Sequence, residues 1–403
     1  MNLRQKLDNT LIRNILTVRY NPEEKPPLNK ISHKILQKSL PSNEKVTQKL
    51  LVESINNICK NDEKIAVSLS GGIDSSLVLG LLRKTFPNKK IFGICGIFED
   101  AFNESNYAKQ NCEQFDAELK TIPMGSIFQN MPEIISITKK PKWNTYQHLI
   151  AKYAAKYAKI LLTGDGADEI FAGYVFRYSK FLNLLHKSDN WKQKTVNYLE
   201  CHNRDWVPDQ KNLFNPKFKF SWIQILKYFK PYFSNTLHPL EQVFLADFNG
   251  KLLFDFIPSG NLIGKHYDLE IKSIFLNDNI IKHGLNLSLT SKYDHKNQLG
   301  KIPLRKLCKI NNIVHLPNKK GFSPSLLFDW NKHGKEICQQ HILSQKAEIY
   351  KKKLINFDWV MSSIDKIDTD GDIRYINRII SVLALEIWLK IFITREINSK
   401  TKL

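Results

Sequence analysis

No two of the six cysteines stand close in the chain: Cys59, Cys95, Cys112, Cys201, Cys308 and Cys338 form no C-x-x-C pair. That spacing argues against zinc ribbons, iron–sulfur clusters and a disulfide framework, and fits reduced thiols in cytoplasm. No apolar run reaches bilayer length. The longest, Ile379 to Ile393, is interrupted by Glu386 and Lys390 and reads as a buried helix. The opening MNLRQKLDNTLIRNILTVRYNPEEKPP lacks the apolar centre and small-residue flank of an export signal. Acidic residues are scarce: 39 Asp and Glu face 60 Lys and Arg, a net charge of +21 over 403 residues. Such an excess attracts polyanions, whether nucleic acid, an anionic membrane face or a phosphorylated substrate. No block of consecutive like charges forms a binding tail, however, and the lysines are scattered. One stretch interleaves them with aromatic rings, Asn215 to Phe233, with Lys217, Lys219, Lys227 and Lys230. It reads as an amphipathic helix with buried rings and solvated lysines, and otherwise as a polyanion-binding surface.

What is present is a rhythm. Residues 1–60, with Pro22, Pro26, Pro27 and Pro41, predict an extended arm and then one helix in VTQKLLVESINNIC. From Lys64 strands and helices alternate: KIAVSLS, a helix over Asp74 to Arg83, KIFGICGIF, a helix over Glu104 to Phe115, AELKTIPM, the helical YQHLIAKYAAKYA, and KILLTG. That order predicts an α/β fold built on a doubly wound parallel sheet. Beyond Tyr174 the pattern turns irregular, aromatic and mostly helical. The expected division is an arm (1–60) and one catalytic domain (61–403), itself a nucleotide-binding core (61–185) and a helical C-terminal part (186–403).

Two loops carry the chemistry. In IAVSLSGGIDSSLVLGLL, a strand runs through Ser70, Gly71 and Gly72 into a helix bearing Asp74, Ser75 and Ser76. A strand-to-helix turn collects anions, because unpaired backbone N–H groups and the helix dipole converge there. The glycines admit close approach and the serines add donors, which suits phosphate. Neither a G-x-x-x-x-G-K-[ST] loop nor a dinucleotide fingerprint is present. Asp74 beside a phosphate cradle makes electrostatic sense if a cation such as Mg²⁺ lies between them. ILLTGDGADEIFAGY repeats the strand, glycine turn and helix start, with Gly164, Asp165, Asp168 and Glu169. These carboxylates could only compensate a helix dipole; as companions of the first loop they form a metal and acid/base set.

Together these motifs resemble the ATP-pyrophosphatase (PP-loop) family, and specifically the synthetase domain of glutamine-dependent asparagine synthetases and their β-lactam-forming relatives. FNESNYA (Phe102–Ala108), GKIPLRK (Gly300–Lys306), NKKGFSPS (Asn318–Ser325) and VLALEIWLKIF are similar to further motifs of that family, in order. The resemblance covers roughly 61–395. It implies an adenine nucleotide alpha hydrolase-like fold and an ATP-dependent ligase that adenylates a small-molecule carboxylate, then passes it to ammonia or an amine. It further implies that Ser70, Gly71, Gly72, Asp74, Ser75 and Gly164 bind ATP and its pyrophosphate. Asp74 and Asp168 would hold Mg²⁺, Lys301 and Lys319 would neutralise developing charge, and Asp165 would manage the nucleophile's proton.

The departures are as specific. Asn2 follows Met1 where the family's glutaminase domain opens with cysteine, so the expectation is no glutaminase domain and a nitrogen donor that is ammonia, an amine or the product of a separate glutaminase subunit. The family's D-R-x-S-M falls on Asn261 to Lys265 without Asp or Arg, and Lys139 and Lys140 stand where relatives carry acids. Asparagine formation, a specialised amide such as a β-lactam or lasso peptide, and a tRNA-modifying PP-loop enzyme are the competing readings. A nucleotide-sensing pseudoenzyme is the fourth.

Overall fold

The structure is a computed structural model that describes residues 8–37, 39–99, 105–143, 146–317 and 325–403. Its first helix, α1 (Asn9–Val18), corrects the expectation of an extended arm. Apolar residues at Ile12, Ile15 and Leu16 recur at helical spacing, Asp8 caps the start by accepting the Thr10 N–H at 2.8 Å, and the helix is buried. Arg378 closes its far end, donating to the Leu16 and Thr17 carbonyls at 2.6 and 3.0 Å. A second helix, α2 (Glu44–Cys59), leads into the sheet.

Five strands follow: β1 (Lys64–Ser68), β2 (Lys90–Ile97), β3 (Glu118–Pro123), β4 (Ile160–Thr163) and β5 (Glu270–Ser273). Between them run α3 (Ile73–Thr85), α4 (Ser105–Gln114), α5 (Met131–Thr138) and α6 (Tyr146–Ala154), and after β4 come α7 (Ala167–Phe171) and α8 (Val175–Leu184). All four strand pairs are parallel, in the order β3-β2-β1-β4-β5. β5 was not foreseen: four residues alternating Glu, Ile, Lys and Ser carry too little apolar pattern, and the strand exists because it pairs with β4 from Ile160↔Glu270 to Thr163↔Ser273.

Parallel strands must be covered on both faces, which is why β1 and β4 read as unbroken apolar runs. Side chains alternate between two layers. Ile65 and Val67 pack with Leu51 and Ile55 of α2 and Leu77 and Leu81 of α3. Ala66, Phe92 and Ile94 pack with Ile134 and Ile135 of α5, Ile150 of α6 and Ile379 and Leu383 of the long helix Ile373–Leu389. That helix is buried from Tyr375 to Leu389, as the interruption at Glu386 implied. Among the described residues no helix is long and apolar enough to cross a membrane. The Asn215–Phe233 stretch is broken by Pro216 and Pro231 into short helical pieces. Phe229, Tyr232 and Phe233 are buried while Lys217, Lys219, Lys227 and Lys230 are exposed. All six cysteines are buried and none is in a disulfide.

Because the chain goes from β1 to β2 and β3 on one side, then returns to β4 on the other, the carboxyl ends of β1 and β4 flank the point where strand order reverses. Ligands of open α/β sheets bind at such points.

Glu386 gives the core a polar requirement. Its fully buried carboxylate accepts the backbone N–H groups of Glu348 at 3.2 Å and Ile349 at 3.0 Å, at the start of a short helix. Burial pushes its carboxyl up, against these donors. Glu386→Ala should leave both N–H groups without a partner and destabilise the chain by about 2–4 kcal/mol, with Glu386→Gln losing less. Denaturant titration of the variants checks this; equal stability of Glu386→Ala and the native chain would refute the capping role.

Candidate active site

The loop after β1 is folded on itself. Ser75 Oγ donates to the Ser70 carbonyl at 2.9 Å, accepts the Ser70 N–H at 3.1 Å and lies 3.1 Å from Ser70 Oγ. Gly72, the N-cap of α3, has φ −81° and ψ 161°, a conformation open to any residue, so its missing side chain leaves space rather than backbone freedom. The loop is braced from behind: the Gly71 carbonyl accepts the Leu316 N–H at 2.7 Å. Asn111 of α4 ties Ser76 to the Val314 carbonyl, at 3.2 and 2.7 Å.

The loop after β4 lies against it. A Cβ on Gly164 would stand 2.8 Å from Asp74 Cβ, so glycine here sets how closely the two loops approach. Gly166 has φ +89°, which begins α7 with a left-handed residue. Asp168 and Glu169 fall in the first turn of that helix. At Gly173 a Cβ would come 1.7 Å from Asp168 Oδ1 and 2.4 Å from Lys301 Cε, so any larger residue would displace both.

Lys301 joins the loops. It is the N-cap of the helix Ile302–Ile310, held at φ +56°, and its N–H donates to the Phe171 carbonyl at 3.0 Å. A non-glycine residue in that region is strained, and such strain persists where surroundings fix it. Its Nζ lies 2.6 Å from Asp74 Oδ2 and 2.6 Å from Asp168 Oδ1, with the side chain 11% exposed. Burial opposes its charge, but Asp168 and Asp74 outweigh it and hold the ammonium protonated well above the ordinary lysine range.

The remaining carboxylates have a different setting. Asp165 receives the Thr163 hydroxyl at 2.8 Å, while its own carbonyl accepts Ser273 Oγ of β5 at 2.6 Å. Burial raises the Asp165 carboxyl, the Thr163 hydrogen bond opposes this, and Asp168 and Asp74 raise it further. Glu169 is pushed up to about 8, by burial first and Asp168 second, against the Tyr174 hydroxyl that donates to it at 2.6 Å. Over the Tyr174 ring, 3.8 Å from its centroid, lies the Arg177 guanidinium, which grips Asp247 at 2.9 and 3.0 Å.

The fold thus brings together Ser70, Gly71, Gly72, Asp74, Ser75, Gly164, Asp165, Asp168 and Lys301. Lys319 and the first three residues of the FNESNYA motif, Phe102 to Glu104, lie outside the described residues, and the rest of that motif begins α4. The sequence reading assigned Lys301 to phosphate charge without foreseeing its bridge to Asp74 and Asp168. It also counted Glu169 in the metal and acid/base set without an individual role, and did not foresee its hydrogen bond from Tyr174.

The asparagine synthase family profile matches residues 47–390. Over 129 residues, 31% of the chain, it is 30% identical to glutamine-hydrolyzing asparagine synthetase 1 of Bacillus subtilis (strain 168), covering 20% of that protein. Over 133 residues, 32% of the chain, it is 26% identical to a putative glutamine-hydrolyzing asparagine synthetase 2 of Methanocaldococcus jannaschii, covering 26% of it. The aligned segments therefore span about a quarter or less of these relatives' length. A solved NH3-dependent NAD synthetase from Campylobacter jejuni aligns with 49% of the chain and 98% of its own, at 18% identity and a TM-score of 0.26, too loose a superposition to add to the sheet order itself. The profile match extends through the loops after β1 and β4, Lys301 and the long buried helix, and the chain belongs to the asparagine synthase family.

Proposed function

We propose that this chain is an ATP-dependent, AMP- and pyrophosphate-forming amide ligase that adenylates a carboxylate and transfers ammonia or an amine to it, with aspartate to asparagine as the reference reaction. The observation that carries the reading is Lys301 bridging Asp74 and Asp168 beside the Ser70–Ser75 loop, at the reversal of strand order. A substrate carboxylate oxygen attacks the α-phosphorus of ATP, the bond to the β-phosphate oxygen breaks, and pyrophosphate leaves. The amine nitrogen then attacks the acyl carbon, its proton is taken up, and AMP leaves with the former carboxylate oxygen. Ser70, Gly71, Gly72, Ser75 and Gly164 line the loops that would bind the polyphosphate. Lys301 supplies fixed positive charge where negative charge develops. Asp165, raised by burial, would take the amine's proton.

Asp74 and Asp168 suit Mg²⁺, since this ion binds through one or two carboxylates together with phosphates and waters. Among the described residues no group of three or more His, Cys, Asp or Glu forms a dedicated metal cage, consistent with an ion carried in by the nucleotide. When bound, it would supply charge neutralisation at the phosphates. Buried, reduced cysteines accord with a cytoplasmic enzyme. A partner glutaminase remains one source of ammonia. A second reading keeps the chemistry and changes the acid, as in lactam or lasso-peptide formation. It is favoured by the Asn261–Lys265 segment, on the helix Ile257–Tyr267, which lacks the Asp and Arg of the family's motif, and by Lys139 and Lys140 in place of acids, Lys140 pairing with Glu24. The tRNA-modifying alternative gains little from the Asn215–Phe233 stretch, in which Phe229, Tyr232 and Phe233 are buried and the other rings half-buried.

The reaction class is checked by incubating the chain with ATP, Mg²⁺, ammonium and a panel of carboxylic acids. AMP and pyrophosphate are expected, and ADP with phosphate would overturn the proposal. Asp74→Asn and Asp168→Asn should each abolish turnover without unfolding the chain, and the double variant should be no worse than either, because both serve one charge centre. Additive, mild losses in steady-state rate would instead mark them as helix-terminus acids. Asp165→Asn should still form an acyl-adenylate that hydroxylamine traps as the hydroxamate, while amide formation fails. Loss of hydroxamate as complete as in Asp74→Asn would move Asp165 into the ATP-binding set.

A further inference from the structure

We propose that Arg305 is a positioning residue: it fixes the turn that aims the Lys301 ammonium between Asp74 and Asp168, and braces that turn on the chain that backs the Ser70–Ser75 loop. The proposal rests on the reading of Lys301 as the charge centre of an ATP-dependent ligase, and it names the group that keeps that centre in place.

Arg305 stands four residues after Lys301, at the fourth position of the helix Ile302–Ile310. Side chains on a helix point back toward its N-terminus, so this guanidinium reaches over the residues that begin it. Its Nε donates to the Gly300 carbonyl at 3.0 Å and its Nη2 to the Pro317 carbonyl at 3.3 Å. Both acceptors are main-chain carbonyls, and among the described residues the guanidinium has no carboxylate partner. A cation near the positive end of a helix dipole does not help the helix, so the reason for this one lies in what it holds. The peptide that joins Gly300 to Lys301 is gripped from both sides: its N–H donates to the Phe171 carbonyl at 3.0 Å and its C=O accepts from Arg305. Because a peptide is planar, these two bonds fix its orientation, and with it the φ of +56° from which the Lys301 side chain departs.

The second acceptor closes a circuit. Pro317 ends a run, 311–317, that lies along α3 and behind the loop after β1. Ile313 fills the space that a Cβ on Gly80 would need, Asn111 donates to the Val314 carbonyl at 2.7 Å, and the Leu316 N–H donates to the Gly71 carbonyl at 2.7 Å. From Gly71 the chain enters α3 and reaches Asp74, which Lys301 binds. Arg305 links the Lys301 turn to the backing of that loop, so the two move together. Burial lowers the guanidinium from its ordinary value while Cys308 and Asp74 oppose this, so the Asp74 charge is felt at Arg305 itself. The task needs the planar fork of arginine, which holds two carbonyls at once where a lysine offers a single point charge.

Two measurements on the full chain test this. Acylation by acetic anhydride at pH 9, read by peptide mass spectrometry, reports on individual lysines. Lys301 should label slowly in the native chain; Arg305→Gln should raise its labelling about tenfold or more, as loss of a charged hydrogen bond implies, and leave Lys292 protected, which is 1% exposed and donates to the Leu285 carbonyl. Arg305→Lys should fall between the two. Unchanged labelling of Lys301 in Arg305→Gln overturns the proposal, and so does labelling of Lys292 in step with Lys301, which marks a general loosening. Calorimetric binding of α,β-methylene-ATP with Mg²⁺ is the second measurement. Arg305→Gln should weaken it about tenfold alone and by no more than about twofold in the Lys301→Met background, because a residue that acts through Lys301 has little to lose once Lys301 is gone. A full loss that persists in the Lys301→Met background would make Arg305 a direct phosphate contact and overturn the positioning role. If the native chain binds no nucleotide while Lys301 labelling depends on Arg305, the ligase reading fails and the positioning role stands; nucleotide binding with labelling that ignores Arg305 leaves the reading and fails the proposal.

Discussion

Lys301 places one ammonium 2.6 Å from a carboxylate oxygen of each of two loops that leave different strands, and the approach of those loops is tolerable only with that cation between them. Asp74 starts α3 and Asp168 starts α7, so each carboxylate has a helix N-terminus behind it. That helps each separately but does nothing about their mutual repulsion at short range in a partly buried site. Lys301 does. The geometry then propagates into the backbone: Gly164 and Gly173 lack side chains because a Cβ would meet Asp74 in one case and Asp168 with Lys301 in the other. Lys301 itself accepts a left-handed conformation, fixed by its N–H on Phe171.

The sheet supplies the scaffold for this bridge. β1 and β4 are adjacent and parallel, paired from Ile65↔Ile160 to Val67↔Leu162, so their following loops emerge at one edge at the same height. The layers above and below are apolar and close-packed, which holds the strand ends against the outward pull of desolvated charge. Lys301 arrives from much later in the chain, on a helix start that Gly300 seats against the Ala172 carbonyl. Three segments distant in sequence thereby define one charge centre, and a shift in any of them separates the groups.

The parts of this arrangement that lie within one stretch of chain were legible. β1, β2 and β4 announce themselves as apolar runs, since strands covered on both faces must be largely apolar, and the glycines and acids after β1 and β4 mark the two candidate site loops. What depends on pairing across the fold was not. β5 has no pattern of its own and is a strand because β4 offers it an edge. α1 shows helical spacing, but its fixed position comes from Arg378, more than three hundred residues away in sequence. Nothing local to Lys301 says that it faces two carboxylates rather than phosphate.

The same contrast explains how neighbouring acids acquire different chemistry. Asp74 and Asp168 share a cation; Asp165 and Glu169, on either side of Asp168 in sequence, share none and are raised by burial and by Asp168 itself. Glu169 at about 8 is mostly protonated at neutral pH and receives a hydrogen bond from Tyr174, which suits a fixed polar support better than an ionic one. Asp165 is raised by burial, opposed by the Thr163 hydrogen bond, and raised further by Asp168 and Asp74. One five-residue turn, Asp165 to Glu169, therefore holds its carboxyls in two electrostatic settings, and the division is made by where Lys301 reaches and where it does not.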